Sequence, residues 1–318
     1  MVLRGIHYAN IFNASGARGW LGEGYPFHKY WKHFGLRYEG CTFVSKTTTL
    51  HPRKGNMPFH PKTFQPTEFL PKCVVVKPWA GVVLNSIGLS GPGADRLIDR
   101  WCVEMKEDPF FISFMSVEPT AEARLHEARQ FVGLLLRRYA KLPRHMGIQV
   151  NFSCPNVGLD TSTLVEEVTS TLNEFAHLEL PCLAKLNVLF PVEAAVQLQT
   201  HAALDGIVMG NTVPWGKLPE KIDWRGLFGS EVSPLARFGG GGLSGKPLLP
   251  LVADWVLQAR KAGFSKVIIA GGGILDTDDA DRLLDVGADG LELGSVSILR
   301  PWRVAKIIRY VNFRTAEA

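Results

Sequence analysis

The chain has 318 residues, 46% hydrophobic and 20% charged, with a formal net charge of +5. That balance is of a folded, enzyme-like chain rather than a disordered one, and the length suits one (β/α)₈ barrel of about 250 residues plus insertions. The positive excess is spread along the sequence without a Lys/Arg run or basic-aromatic stripe, which argues against nucleic acid as a partner, and no stretch approaches the roughly 20 apolar residues of a membrane span.

Short apolar runs alternate with helical patterns from about residue 105 onward. Strands are predicted at 110–117, 146–153, 181–186, 204–209, 266–270 and 290–293. Helices are predicted at 120–139, 163–178, 192–198, 246–262, 278–286 and 302–311. Repeated strand–helix units with apolar strands predict an α/β fold with a parallel sheet buried on both faces. Polar motifs follow many different strands, which favours a closed (β/α)₈ barrel over an open doubly wound sheet, where ligands gather at one switch point. The Pro-rich segment 40–92 reads as early barrel strands with a long excursion over the barrel mouth, and 213–242 as a second excursion. With no repeats or low-complexity tails, residues 1–318 read as a single domain.

Five cysteines, Cys41, Cys73, Cys102, Cys154 and Cys182, form no CxxC pair, so no zinc, iron–sulfur or other metal site is expected within the chain. A reducing cytoplasm is the default compartment, and the N-terminus lacks a signal-peptide pattern. The chain is therefore expected to be soluble and cytoplasmic.

The segment from Gly147 to Asn156 carries the most chemistry. An alternating apolar strand runs into Asn151, Cys154 and Asn156. Amides donate and accept at once, which suits a flat heterocycle with ring N–H and C=O groups, and a thiol can serve as base or nucleophile when its thiolate is favoured. A buried cysteine beside a Pro-Asn turn is the plain alternative. Two late strands end in Gly271-Gly272-Gly273 and Gly294-Ser295, where backbone N–H groups can approach an oxyanion; barrels often hold phosphate after strands seven and eight. A third glycine stretch, 239–245, either adds donors to the same phosphate or is a flexible hinge. Lys46 sits inside the β-branched run Val44-Ser45-Lys46-Thr47-Thr48-Thr49 and Lys185 inside Leu183-Ala184-Lys185-Leu186-Asn187, where burial without a partner is costly. Either could extend its head to the barrel rim, or the two could stabilise a delocalised anion such as a reduced flavin. Asn85 and Asn211-Thr212 add further strand-end polar groups that need partners.

Taken in order, these motifs resemble the dihydroorotate dehydrogenases, FMN enzymes of pyrimidine synthesis, over nearly the whole chain. Ala14-Ser15-Gly16 is similar to the family's first flavin-contacting strand end, Lys46-Thr47-Thr48-Thr49-Leu50 to its lysine motif, and Asn85-Ser86-Ile87-Gly88-Leu89 to its substrate-carboxylate loop. Asn151 to Asn156 is similar to its catalytic motif. Cysteine at position 154 matches the class 1 members, and the lysine motif and Gly242-Leu243-Ser244-Gly245 look closest to the NAD-linked catalytic subunit. His51, Lys54, the class 2-like 157–160 and the insert 214–229 depart from that pattern.

The resemblance implies oxidation of (S)-dihydroorotate to orotate with FMN, Cys154 acting as general base while hydride passes to the flavin. It implies substrate contacts from Lys46, Asn85, Gly88, Leu89, Asn151, Asn156, Asn211 and Thr212. It implies cofactor contacts from Ala14, Ser15, Gly16, Lys46, Thr47, Asn85, Asn151, Lys185, Gly245, Gly271, Gly272, Gly273, Gly294 and Ser295. It also implies a partner subunit carrying FAD and an iron–sulfur cluster, in a heterotetramer, or a homodimer without it. Three rivals stay open: an FMN enzyme acting on another dihydropyrimidine or on dihydrouridine, a phosphosugar isomerase or lyase, and a non-catalytic flavin-binding barrel.

Overall fold

Eight short apolar runs pair side by side in a computed structural model that describes residues 1–105, 107–152 and 161–316. They are β1 (Ile11–Asn13), β2 (Phe43–Val44), β3 (Phe110–Phe114), β4 (Met146–Asn151), β5 (Cys182–Leu186), β6 (Gly206–Met209), β7 (Val267–Gly271) and β8 (Gly290–Leu293). Each pairs in parallel with the next from β2 to β8, and β8 pairs with β1. A parallel bridge between Phe12 and Thr42 closes the ring. The expected (β/α)₈ barrel is thus formed. Helices α1 (Ala94–Glu104), α2 (Ala121–Arg137), α3 (Thr161–Ala176), α4 (Val192–Leu198), α5 (Leu248–Lys261), α6 (Thr277–Asp285) and α7 (Val304–Ala316) follow β2 to β8 in turn. No helix of the described residues is long and apolar enough to cross a membrane.

Successive side chains of a strand point to opposite faces, and the barrel uses both. Outward residues such as Ile112, Ile148, Ile207 and Ile268 join the large cluster beneath the helices. Inward Phe12, Val44, Phe111, Leu183, Val208 and Ile269 form a separate interior cluster with Leu3 and Tyr8. Leu3 comes from an N-terminal hairpin, Val2–Leu3 paired with Ile6–His7, whose two turn residues Arg4 and Gly5 both have positive φ. That geometry matches the twist of the flanking strands. Arg4 forks onto Asp205, which accepts the Cys182 N–H at 2.7 Å. Two residues further along the strands the interior turns polar, with buried Ser113, Gln149, Lys185 and Glu292.

Three sequence expectations change. The strands Val74–Lys77 and Val82–Asn85 belong to a separate antiparallel sheet rather than to the barrel. They pair there with Gly242–Gly245 and Val213–Pro214, so the two excursions are one structure. The glycine stretch is accordingly neither wholly a hinge nor wholly a phosphate loop. Its last four residues are a strand, and Gly239, Gly240 and Gly241 turn into it with φ of +87°, +91° and +87°, a conformation costly for any residue with a Cβ. Helix α1 adds to the predicted elements: its apolar spacing (Ala94, Leu97, Ile98 and Trp101, all buried) lies between the Pro-rich excursion and the first predicted strand, directly behind Gly91-Pro92-Gly93.

Gly147 faces the barrel interior, where an added Cβ would lie 2.4 Å from Cε1 of Phe111. The Phe111 ring is itself packed against Tyr8, with centroids 4.7 Å apart. Gly147→Ala is predicted to destabilise the fold by about 1–3 kcal/mol through overpacking. Denaturant unfolding checks this; an unchanged midpoint would mean the interior has room the structure does not show.

Candidate active site

The polar end of the barrel opens into a cavity of about 440 Å³ beneath the second sheet. Asn151, at the end of β4, and Asn211, just past β6, meet there: Asn211 Nδ2 donates to Asn151 Oδ1 at 2.7 Å, and the Thr212 N–H donates to Asn211 Oδ1 at 3.0 Å. Asn151 Nδ2 reaches Thr47 Oγ1 at 3.4 Å, and Thr47 Oγ1 also lies 2.9 Å from Ser113 Oγ and 3.2 Å from Ser15 Oγ. This chain of contacts links the ends of five barrel strands. It holds both amides at each end, which fixes how they are turned and leaves only the second hydrogen or lone pair of each group for a ligand.

The second sheet supplies the roof. Asn85 ends the strand Val82–Asn85 and donates to the Gly242 carbonyl at 3.5 Å. Beyond it Gly88 and Leu89 both adopt positive φ, +67° and +54°. The turn is pinned by Asn56, whose side chain donates to the Ser86 carbonyl and whose N–H donates to that of Ile87, each at 2.8 Å. Asn85, Gly88, Leu89 and Thr212 all line the cavity.

Ala14, Ser15 and Gly16 form one wall, and Gly272, Gly273, Gly294 and Ser295 one end. The N–H groups of those last four find no acceptor among the described residues. Gly272 and Gly273 have φ of +122° and +81°, and a Cβ on Gly273 would lie 2.7 Å from the Gly245 carbonyl. Gly245 and Gly271, both expected to contact a cofactor, do not line the cavity. A Cβ on Gly245 would strike the Gly81 carbonyl at 2.2 Å, and one on Gly271 the Glu292 carbonyl at 2.9 Å, so these two glycines permit close chain packing. Cys154 and Asn156 lie outside the described residues.

The Dihydroorotate dehydrogenase family model matches residues 3–313. The chain belongs to the dihydroorotate dehydrogenase family. It is 31% identical over 293 residues to a dihydroorotate dehydrogenase B (NAD(+)) catalytic subunit of Thermotoga petrophila, covering 90% of this chain and 92% of the relative. It is 28% identical to the protein of the same description from Anoxybacillus flavithermus, covering 96% and 87%. In fold it is similar to the crystal structure of DHODH from Eimeria tenella in complex with ferulenol, with a TM-score of 0.65 at 18% identity, covering 98% of this chain and 82% of that one.

Dihydroorotate dehydrogenases are flavin-dependent oxidoreductases, and this cavity fits such a group in chemistry. It has unpaired backbone N–H groups at one end for a phosphate, ring-edge amides along its length, and two buried lysines, Lys46 and Lys185. Among the described residues no three His, Cys, Asp or Glu side chains are grouped to hold a metal ion.

The two lysines differ. Lys185 is held by Glu292 of β8, its Nζ 2.7 and 2.9 Å from the two carboxylate oxygens, so it has the partner that the sequence reading required but did not name. Glu292 was missed there, although a lone carboxylate between Leu291 and Leu293 on an apolar strand signals a buried partner. Lys46 sits on the face of Trp20, 4.0 Å from the ring centroid, and donates to the Ser90 carbonyl. Burial pushes its pKa from 10.5 to about 7, against the opposing pull of Glu23 and Cys73.

Between about pH 7 and 10.5 the unfolded chain therefore binds a proton at Lys46 that the folded ligand-free protein does not, so this residue makes stability rise with pH across that window. Lys46→Met is predicted to flatten the rise. Denaturant midpoints of both proteins, stripped of cofactor, at pH 6.5, 8 and 9 check it; parallel curves would show that Lys46 does not titrate there.

Proposed function

We propose that this chain oxidises (S)-dihydroorotate to orotate in pyrimidine biosynthesis, with residues 1–318 forming one FMN-binding barrel domain. The observation that carries the reading is the linked Asn151–Asn211–Thr212 set facing one cavity with Asn85, Lys46 and the glycine N–H groups. A dihydropyrimidine carboxylate has matching parts: a ring edge of alternating donors and acceptors, and one anionic group.

Gly272, Gly273, Gly294 and Ser295 would take the FMN phosphate through their free N–H groups, and Ala14, Ser15, Gly16 and Thr47 would border the ring system. Bound there, FMN supplies the acceptor for the hydride leaving substrate C6. Asn85, with the N–H groups of Gly88 and Leu89, holds the substrate carboxylate. Asn151, Asn211 and Thr212, joined by Asn156, read the ring edge. Lys46, partly neutral in the empty site, takes up a proton when an anion arrives, because a nearby negative charge favours the ammonium.

Cys154 follows β4 by three residues and removes the C5 proton. A free thiol titrates near 8.5, so flavin reduction is expected to speed up with pH through the thiol range. Electrons would then leave to a partner subunit, which the 31% identity to a subunit described as NAD(+)-type and catalytic supports; FAD and an iron–sulfur cluster on that partner, and a cytoplasmic location, follow from the family resemblance alone.

An anaerobic absorbance titration of the FMN-loaded protein with dihydroorotate tests the function. Bleaching of the flavin band with orotate formed in step is expected; a flavin that stays oxidised would reject the substrate. Cys154→Ala is expected to bind flavin and substrate but slow the bleaching by about 10²-fold or more, the usual weight of a general base. Reduction at the wild-type rate would remove Cys154 from that role.

A further inference from the structure

Three inward side chains from three barrel strands meet at one side of the cavity: Gln149 on β4, Lys185 on β5 and Glu292 on β8. Lys185 and Glu292 both line the cavity. Their side chains are only 4% and 1% exposed, and Lys185 Nζ touches both oxygens of the carboxylate. Gln149 Nε2 lies 3.4 Å from Glu292 Oε1, and Gln149 Oε1 has no partner among the described residues.

We infer that Glu292 is a positioning residue that sets how much positive charge Lys185 presents to the bound flavin, holding its reduction potential below the value a free lysine would give. This rests on the flavin reading above. A buried ammonium alone is a monopole, and in a poorly screened site it strongly favours negative charge on a neighbouring ligand. Paired through both oxygens, the same ammonium is half of a dipole whose field falls off much faster. Hydride transfer adds negative charge to the flavin, so only the unopposed ammonium would strongly favour the reduced form. A role in stability alone is a poor explanation of the pair, since buried ion pairs seldom add stability over apolar packing.

Gln149 provides the control. Its side chain already contacts the carboxylate, so a carboxylate at position 149 reaches the same space from the neighbouring strand. The charge can be moved without being removed.

The experiment measures the flavin midpoint potential of the FMN-loaded protein by anaerobic dye equilibration. In Glu292→Gln the reduced flavin should gain about tenfold in binding over the oxidised form, a rise of about 30 mV for a two-electron couple. Glu292→Asp, which keeps the pair but withdraws the carboxylate, should give a smaller rise and serves where the amide variant does not fold. Gln149→Glu combined with Glu292→Gln should return the potential to that of the wild type. An unchanged potential in a flavin-loaded Glu292→Gln or Glu292→Asp protein overturns the inference and leaves the functional reading intact. A wild-type protein that retains no flavin overturns both.

Discussion

Closing eight strands into a ring gives every strand one inward face, and that face has to change character along its length. At the N-terminal end there is no ligand to satisfy polar groups, so Phe12, Phe111, Leu183 and Ile269 fill the space and Leu3 closes it from below. One pleat higher β3, β4, β5 and β8 present Ser113, Gln149, Lys185 and Glu292, whose contacts are with each other or with residues at the cavity. The apolar layer keeps water from the lower barrel; the polar layer gives the cavity its chemistry. Neither survives a register slip of one residue, because a slip turns every inward side chain outward.

The second sheet depends on this ring in turn. Its strands come from segments 128 residues apart at their closest (Asn85 and Val213), and they meet only because the barrel brings the loops after β2 and β6 to the same end. The Gly242–Gly245 strand is held between Val82–Asn85 and Val213–Pro214, and a Cβ at Gly242 would lie 2.3 Å from Thr212 Oγ1. Roof and floor are therefore tied at residues that line the cavity, so Asn85 and Thr212 keep a fixed spacing.

The barrel was legible in the sequence because its strands and helices carry strong periodicity. The helix at Ala121–Arg137 even announces its start with Thr120, whose side chain accepts the Ala123 N–H. Most of the candidate site was legible too, as polar residues at the ends of apolar strands. What escaped was pairing. Nothing local in Val74–Lys77 or Gly242–Gly245 says that they share a sheet, and two- to four-residue strands carry too few side chains for alternation to register. Glu292 escaped for a related reason: it lies 107 residues from Lys185, and only barrel closure makes them neighbours. Gly245 and Gly271 were assigned to a cofactor because glycine allows backbone to approach a ligand. It equally allows backbone to approach backbone, and the sequence does not distinguish the two.

Two buried lysines face one cavity, and the fold treats them in opposite ways. Lys185 has a carboxylate at contact distance, and its charge is matched before any ligand binds. Lys46 has a ring face and a carbonyl as its near partners, while the carboxylate of Glu23 is occupied by the N–H groups of Trp20 and Leu21. Partial compensation leaves Lys46 with a loosely held proton, and an arriving anion completes what the protein does not. On the proposed function the substrate's carboxylate would lie beside Lys46, close under the Gly88–Leu89 turn, whose Ser90 carbonyl accepts from the same ammonium. On the same reading its uncharged ring would lie over the amides of Asn151 and Asn211. If both proposals hold, one lysine would recognise charge already present in a ligand, and the other, restrained by its carboxylate, would meet charge that arises only during reaction.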